Sequence, residues 1–178
     1  MAGGLGFPQA VTDGFAMADP EEHVAGQVKF LVCVDDSRDC RVALRFASLR
    51  ARNTKGNVVL LYVIEPADFQ HWMAVAKLMD DERREEAEAI LQNLAAEVQE
   101  FAGVRPILIV REGRRVDEIL KLIEEDPSIN ILVLGAAPEG EGSNELVRKL
   151  SGELTKRLSI PLTIVPGNLT DAQLAKLT

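Results

Sequence analysis

Five short runs of Val, Ile and Leu, at residues 28–34, 58–64, 107–110, 131–134 and 162–165, recur along the chain with longer segments of helical period between them. Each run is apolar without alternation, but for Lys29 in the first and Thr163 in the last. A strand with one wet face alternates polar and apolar residues, so these five must be covered on both faces. Parallel strands need long crossovers, and helices supply the cover, so the pattern predicts a doubly wound α/β domain. The expected form is a single five-stranded parallel sheet with helices on both faces, Rossmann-like, in strand order 3-2-1-4-5.

The helices follow from the intervening periodicity. A first helix is expected over about 39–53, with Val42, Phe46 and Leu49 on its inner face, Asp36 or Ser37 as N-cap and Gly56 as its stop. The second connection is long, and Ala87, Ile90, Leu91, Leu94, Ala95 and Val98 repeat there at helical spacing behind a charged run, 80–86, that reads as a solvated face. Just before that run Trp72, Val75, Ala76 and Met79 form an apolar stripe, a core face or a lid over the strand ends. Val116, Ile119, Leu120 and Ile123 predict a third helix, and Leu146, Leu150, Leu154 and Leu158 a fourth.

Three regions result. Residues 1–27 are Gly-rich and acidic without strand or helix period and read as a flexible arm. Residues 28–166 form the α/β domain. Residues 167–178 are a tail in which Thr170 or Asp171 would cap a short helix carrying Leu174 and Leu177.

At 178 residues the chain suits one domain whose core needs no disulfide or structural metal. Its two cysteines, Cys33 and Cys40, make no framework, and Cys33 inside an apolar run reads as a reduced buried thiol, which points to the cytoplasm. The first Lys or Arg is Lys29, so a basic signal-peptide region is missing, and the run at 58–64 is far too short to cross a bilayer. With 28 Asp and Glu against 20 Lys and Arg, the net charge of -8 repels nucleic acid and anionic membranes alike.

In sheets of this kind ligands bind beyond the carboxyl ends of the strands. The loops to read are therefore Asp35-Asp36-Ser37, Glu65-Pro66-Ala67-Asp68, residues 111–115 and residues 135–143. Arg114 and Arg115 would meet an anion there, although ordinary surface charge is the favoured reading. His23 and His71 have no partner at metal-ligand spacing, and Ser37, Ser151 and Cys40 have no partnered His. Neither a metal site nor triad hydrolysis is expected.

Across residues 29–166 the chain resembles the universal stress protein family. Val34-Asp35-Asp36-Ser37 is similar to the family's V-D-x-S turn, Leu60-Leu61-Tyr62-Val63-Ile64-Glu65-Pro66 to its second strand, and Arg111-Glu112-Gly113 to its strand-three exit. The family's nucleotide-binding branch carries G-x2-G-x9-G-[S/T] after strand four, a loop whose backbone N–H groups cradle phosphates. Counted from Gly135, the second glycine falls on Pro138 and the closing pair on Arg148 and Lys149, a register that runs on ungapped to Ile160-Pro161-Leu162. Pro138 has no N–H, Arg148 obstructs close approach, and Glu139, Glu141 and Glu145 repel polyphosphate. Gly142 and Gly152 keep the nine-residue spacing but are followed by Glu153, out of register with Pro161; Gly140, Gly142 and Ser143 read more simply as a turn and helix N-cap.

Two functions follow from the resemblance. The first is a stress-response or regulatory module, not an enzyme and without a cofactor, acting through an unidentified protein partner. It would dimerise with a second copy through the edge strand from Leu162 to Val165. The alternative is an adenine-nucleotide-binding member, taking ATP or AMP with magnesium and hydrolysing ATP slowly if at all. Asp35 would then sit at the adenine side, Val63 and Gly113 would line the pocket, and Arg148 and Lys149 would replace the lost cradle beside Gly135. Each has a plainer explanation: helix capping for Asp35, strand packing for Val63 and a tight turn for Gly113.

Overall fold

The computed structural model describes residues 27–178 apart from 36, 67–72 and 140–143, and for 73–80 and 153–154 the backbone alone. The arm, the stripe around Trp72, both histidines and the turn at Gly140, Gly142 and Ser143 thus lie outside the described residues or side chains. The elements in chain order are β1 (Lys29–Cys33), α1 (Arg38–Thr54), β2 (Asn57–Ile64), α2 (Met73–Ala102), β3 (Ile107–Glu112), α3 (Arg115–Glu125) and β4 (Ile129–Ala136). Then follow α4 (Glu145–Ser151), a 3-10 turn (Glu153–Arg157), β5 (Leu162–Pro166) and α5 (Asp171–Leu177).

The strands form one parallel sheet in the order β3-β2-β1-β4-β5. β1 lies at the centre with all five residues buried. Phe30 and Val32 point into one core with Val58, Leu60 and Val133, against α1, α2 and α5. Leu31 and Cys33 point into the other with Val59, Leu61 and Leu132, against α3 and α4. Burial on both faces is the physical reason the runs are almost wholly apolar. The strands overrun those runs, as β4 starts at Ile129 and β3 ends at Glu112, because the hydrogen-bond ladder continues where polarity changes.

Three local expectations are corrected. The residues of α1 that face the sheet are Ala43, Leu44, Ala47, Ser48 and Ala51, while Val42, Phe46 and Leu49 flank them half-buried. Two adjacent stripes have helical period here, and the small one wins because it lets the helix lie close on the strands. α1 ends in Lys55, whose φ of 54° supplies the left-handed C-cap expected of Gly56. The predicted fourth helix divides at Gly152 into α4 and the 3-10 turn, with Leu150 buried and Leu146 and Leu158 half-buried.

The tail forms α5. Thr170 and Gln173 make a reciprocal capping box, Leu174 is buried, and Asp171 pairs with Arg45 of α1 at 2.7 Å. A seven-residue helix is too short to hold by itself, so this docking is what sustains it. No helix among the described residues is long and apolar enough to cross a membrane.

Candidate functional site

The winding of the sheet reverses between β1 and β4, and on the β1 side of that point the loops beyond β1, β2 and β3 meet. Asp35 follows β1. Its Oδ1 accepts the N–H of Ser37 at 2.9 Å, fixing a tight turn that leaves the capping of α1 to Ser37, whose Oγ accepts the Cys40 N–H. Oδ2 of Asp35 is then free to face Arg115, 3.6 Å away.

Arg115 is the link that the sequence leaves unsaid. It opens α3, and its guanidinium lies 3.8 Å from Glu65 Oε2 as well, while its backbone N–H donates to Glu65 Oε1 at 3.3 Å. The loops of three strands are therefore tied by one cation. Its side chain is 32% exposed against 80% for Arg114, which pairs with Asp117. Arg114 is plain surface charge, whereas Arg115 is half-buried and bridges two carboxylates.

Val63 is buried in the sheet beneath this group, and with Tyr62, Glu65, Arg83, Glu86 and Arg115 it lines a cleft of about 210 Å³. Arg83 reaches down from α2 to the Glu65 carbonyl oxygen at 3.4 Å. Gly113 donates its N–H to the Ile64 carbonyl and holds a φ of 144°, and a Cβ there would stand 2.9 Å from Glu118 Oε1. The tight turn thus accounts for Gly113. Asp35 reaches the cleft only through Arg115, and neither Asp35 nor Gly113 is among the residues that line it beside Val63.

The loop after β4 is built differently. A Cβ on Gly135 would lie 2.3 Å from the Asp39 carbonyl oxygen, so this glycine admits the first turn of α1 onto the strand. Ala137 donates its N–H to Asn144 Oδ1 at 2.8 Å, and Asn144 Nδ2 donates back to the Ala137 carbonyl at 3.0 Å. Asn144, not Ser143, is the N-cap residue of α4. Pro138 follows Ala137 and has no N–H to offer. Lys149 is spent on Glu145 at 2.5 Å, and Arg148 is exposed on the same short helix. The hydrogen bond and charge of Lys149 hold the Glu145 carboxyl below its usual range, with smaller contributions from Arg148 and Arg115. The two mouths share one electrostatic neighbourhood.

Both thiols are buried. Burial pushes both Cys33 and Cys40 up to about 12, so each is protonated at neutral pH.

A single parallel sheet in the order β3-β2-β1-β4-β5 with helices on both faces defines a doubly wound, Rossmann-like α/β domain. The model of the universal stress protein family matches residues 28–166, and the chain belongs to that family. Among solved structures, universal stress protein UspA from Lactobacillus plantarum is similar with a TM-score of 0.61 at 20% identity, covering 78% of this chain and 97% of that one. A universal stress family protein from Arabidopsis thaliana with AMP bound has a TM-score of 0.56 at 17% identity, covering 83% and 98%. One from Archaeoglobus fulgidus in complex with dAMP has a TM-score of 0.51 at 17% identity, covering 77% and 96%. These likenesses show the fold. No curated protein matches the sequence.

Proposed function

We propose that this universal stress protein is a non-catalytic regulatory module of the cytoplasm, acting as a homodimer through protein contacts, in which the phosphate cradle after β4 has been given up. The observation that carries the reading is the clasp between Asn144 and Ala137. A cradle works by offering unpaired backbone N–H groups to an anion. Here the Ala137 N–H is already given to a side chain and its neighbour Pro138 has none. Dimerisation is supported by β5, which lies at the sheet edge with Ile164 41% exposed; antiparallel pairing with a second copy would cover both.

Calorimetry with ATP and with AMP, each with magnesium, tests the loss. The expected result is no heat from the native chain and binding by Pro138→Gly with Arg148→Gly and Lys149→Ser. Heat from the native chain that Asp35→Ala abolishes overturns it. Light scattering at micromolar concentration tests the dimer, and Ile164→Lys should yield the monomer mass.

A second reading has one observation in its favour: Oδ2 of Asp35 and the guanidinium of Arg115 are partly exposed beside the cleft. Relatives of the same fold hold AMP or dAMP. In this reading an adenine nucleotide, with or without magnesium, meets Asp35, Val63 and Gly113, while Arg148 and Lys149 stand near its phosphate. Lys149 would first have to leave Glu145.

A further inference from the structure

A second cleft, of about 330 Å³, opens at the opposite pole, where the strands begin. Three bases border it: Arg52 in the last turn of α1, Lys55 at its C-cap and Arg105 on the lead into β3. Among the described residues no Asp or Glu lines it, and all three bases are exposed with no ion pair. In a chain of net charge -8, a cleft bordered by cations alone is a local inversion of sign. Complementing the carbonyl end of α1 accounts for Arg52 and Lys55. It does not account for Arg105, which comes from another part of the chain.

Gln27 lines the same cleft, so the preceding chain leaves from its wall. Residues 1–26 contain Asp13, Asp19, Glu21 and Glu22 and no Lys or Arg. Glu22 is five residues from Gln27, within roughly 17 Å of fully extended chain. A tether of that length gives an effective concentration on the order of millimolar.

We propose that this basic cleft is a docking site for a carboxylate-rich peptide, and that its occupant is the chain's own segment bearing Asp19, Glu21 and Glu22. Charge complementarity selects the segment, and the tether makes it the first acidic peptide the cleft meets.

Zero-length carbodiimide coupling on the full chain, read by mass spectrometry, tests this, because it joins a carboxylate to an amine only in contact. The expected product is an amide within one chain between Lys55 and Asp19, Glu21 or Glu22. It should fall at least about fivefold in about 0.5 M salt, and as much in Arg52→Glu with Arg105→Glu, since both remove the attraction. All the substituted residues are exposed, and an unchanged urea midpoint verifies the fold. Mixing isotopically labelled and unlabelled chains separates intrachain from interchain products. An interchain amide, none to Lys55, or one undiminished by the charge reversal overturns the proposal.

Discussion

On the β1–β3 side of the crevice the outward groups are side chains, Asp35, Glu65 and Arg115, whereas on the β4 side the outward group is the Ala137 N–H, already held by Asn144. Side chains that pair across 3.6 to 3.8 Å in partial contact with water exchange partners at little cost. A backbone donor locked by a reciprocal amide clasp does not. The first half can therefore answer a ligand or a partner, and the second is committed to holding its own loop.

The largest expected effect comes from Gly135. If this glycine served a phosphate, a larger residue would spare the fold. Because a Cβ would collide with the Asp39 carbonyl oxygen, Gly135→Val should instead lose about 3 kcal/mol or more by urea denaturation, since α1 or β4 must shift. A stability within error of wild type would remove Gly135 from the packing account. Next is Asn144→Ala, which deletes both bonds to Ala137 and should lose roughly 1–3 kcal/mol. Amide exchange at Ala137 should accelerate in the same variant; unchanged exchange would mean that the clasp does not hold the loop. The smallest is Arg115→Ala. With both ion pairs half in water, the expected loss is under about 1 kcal/mol and shrinks with salt. A larger, salt-independent loss would show the cation to be structural and erase the contrast between the halves.

The strands are legible in the sequence because burial on both faces writes them as nearly uninterrupted apolar runs, and the family resemblance rests on their order. The inner face of α1 is not, since Val42, Phe46 and Leu49 have the same period as Ala43, Ala47 and Ala51 and hydropathy favours the larger set; only the close approach of helix to strand decides for the smaller. At the site, Asp35 and Gly113 stand out as loop residues after strands. Arg115 stands out there too, but its bridging role does not, because its two partners lie 80 and 50 residues earlier and meet it only once β1, β2 and β3 are in register. Asn144 looks like any helix cap, and its bond back to Ala137 depends on where the intervening loop returns.

The two masked thiols have a practical consequence. A protonated, buried sulfhydryl reacts with peroxide or alkylating reagents only after the surrounding structure has opened. Oxidation at Cys33 or Cys40 therefore waits on that opening. Their labelling under native conditions becomes an internal clock, ticking once each time the junction of β1 and α1 comes apart.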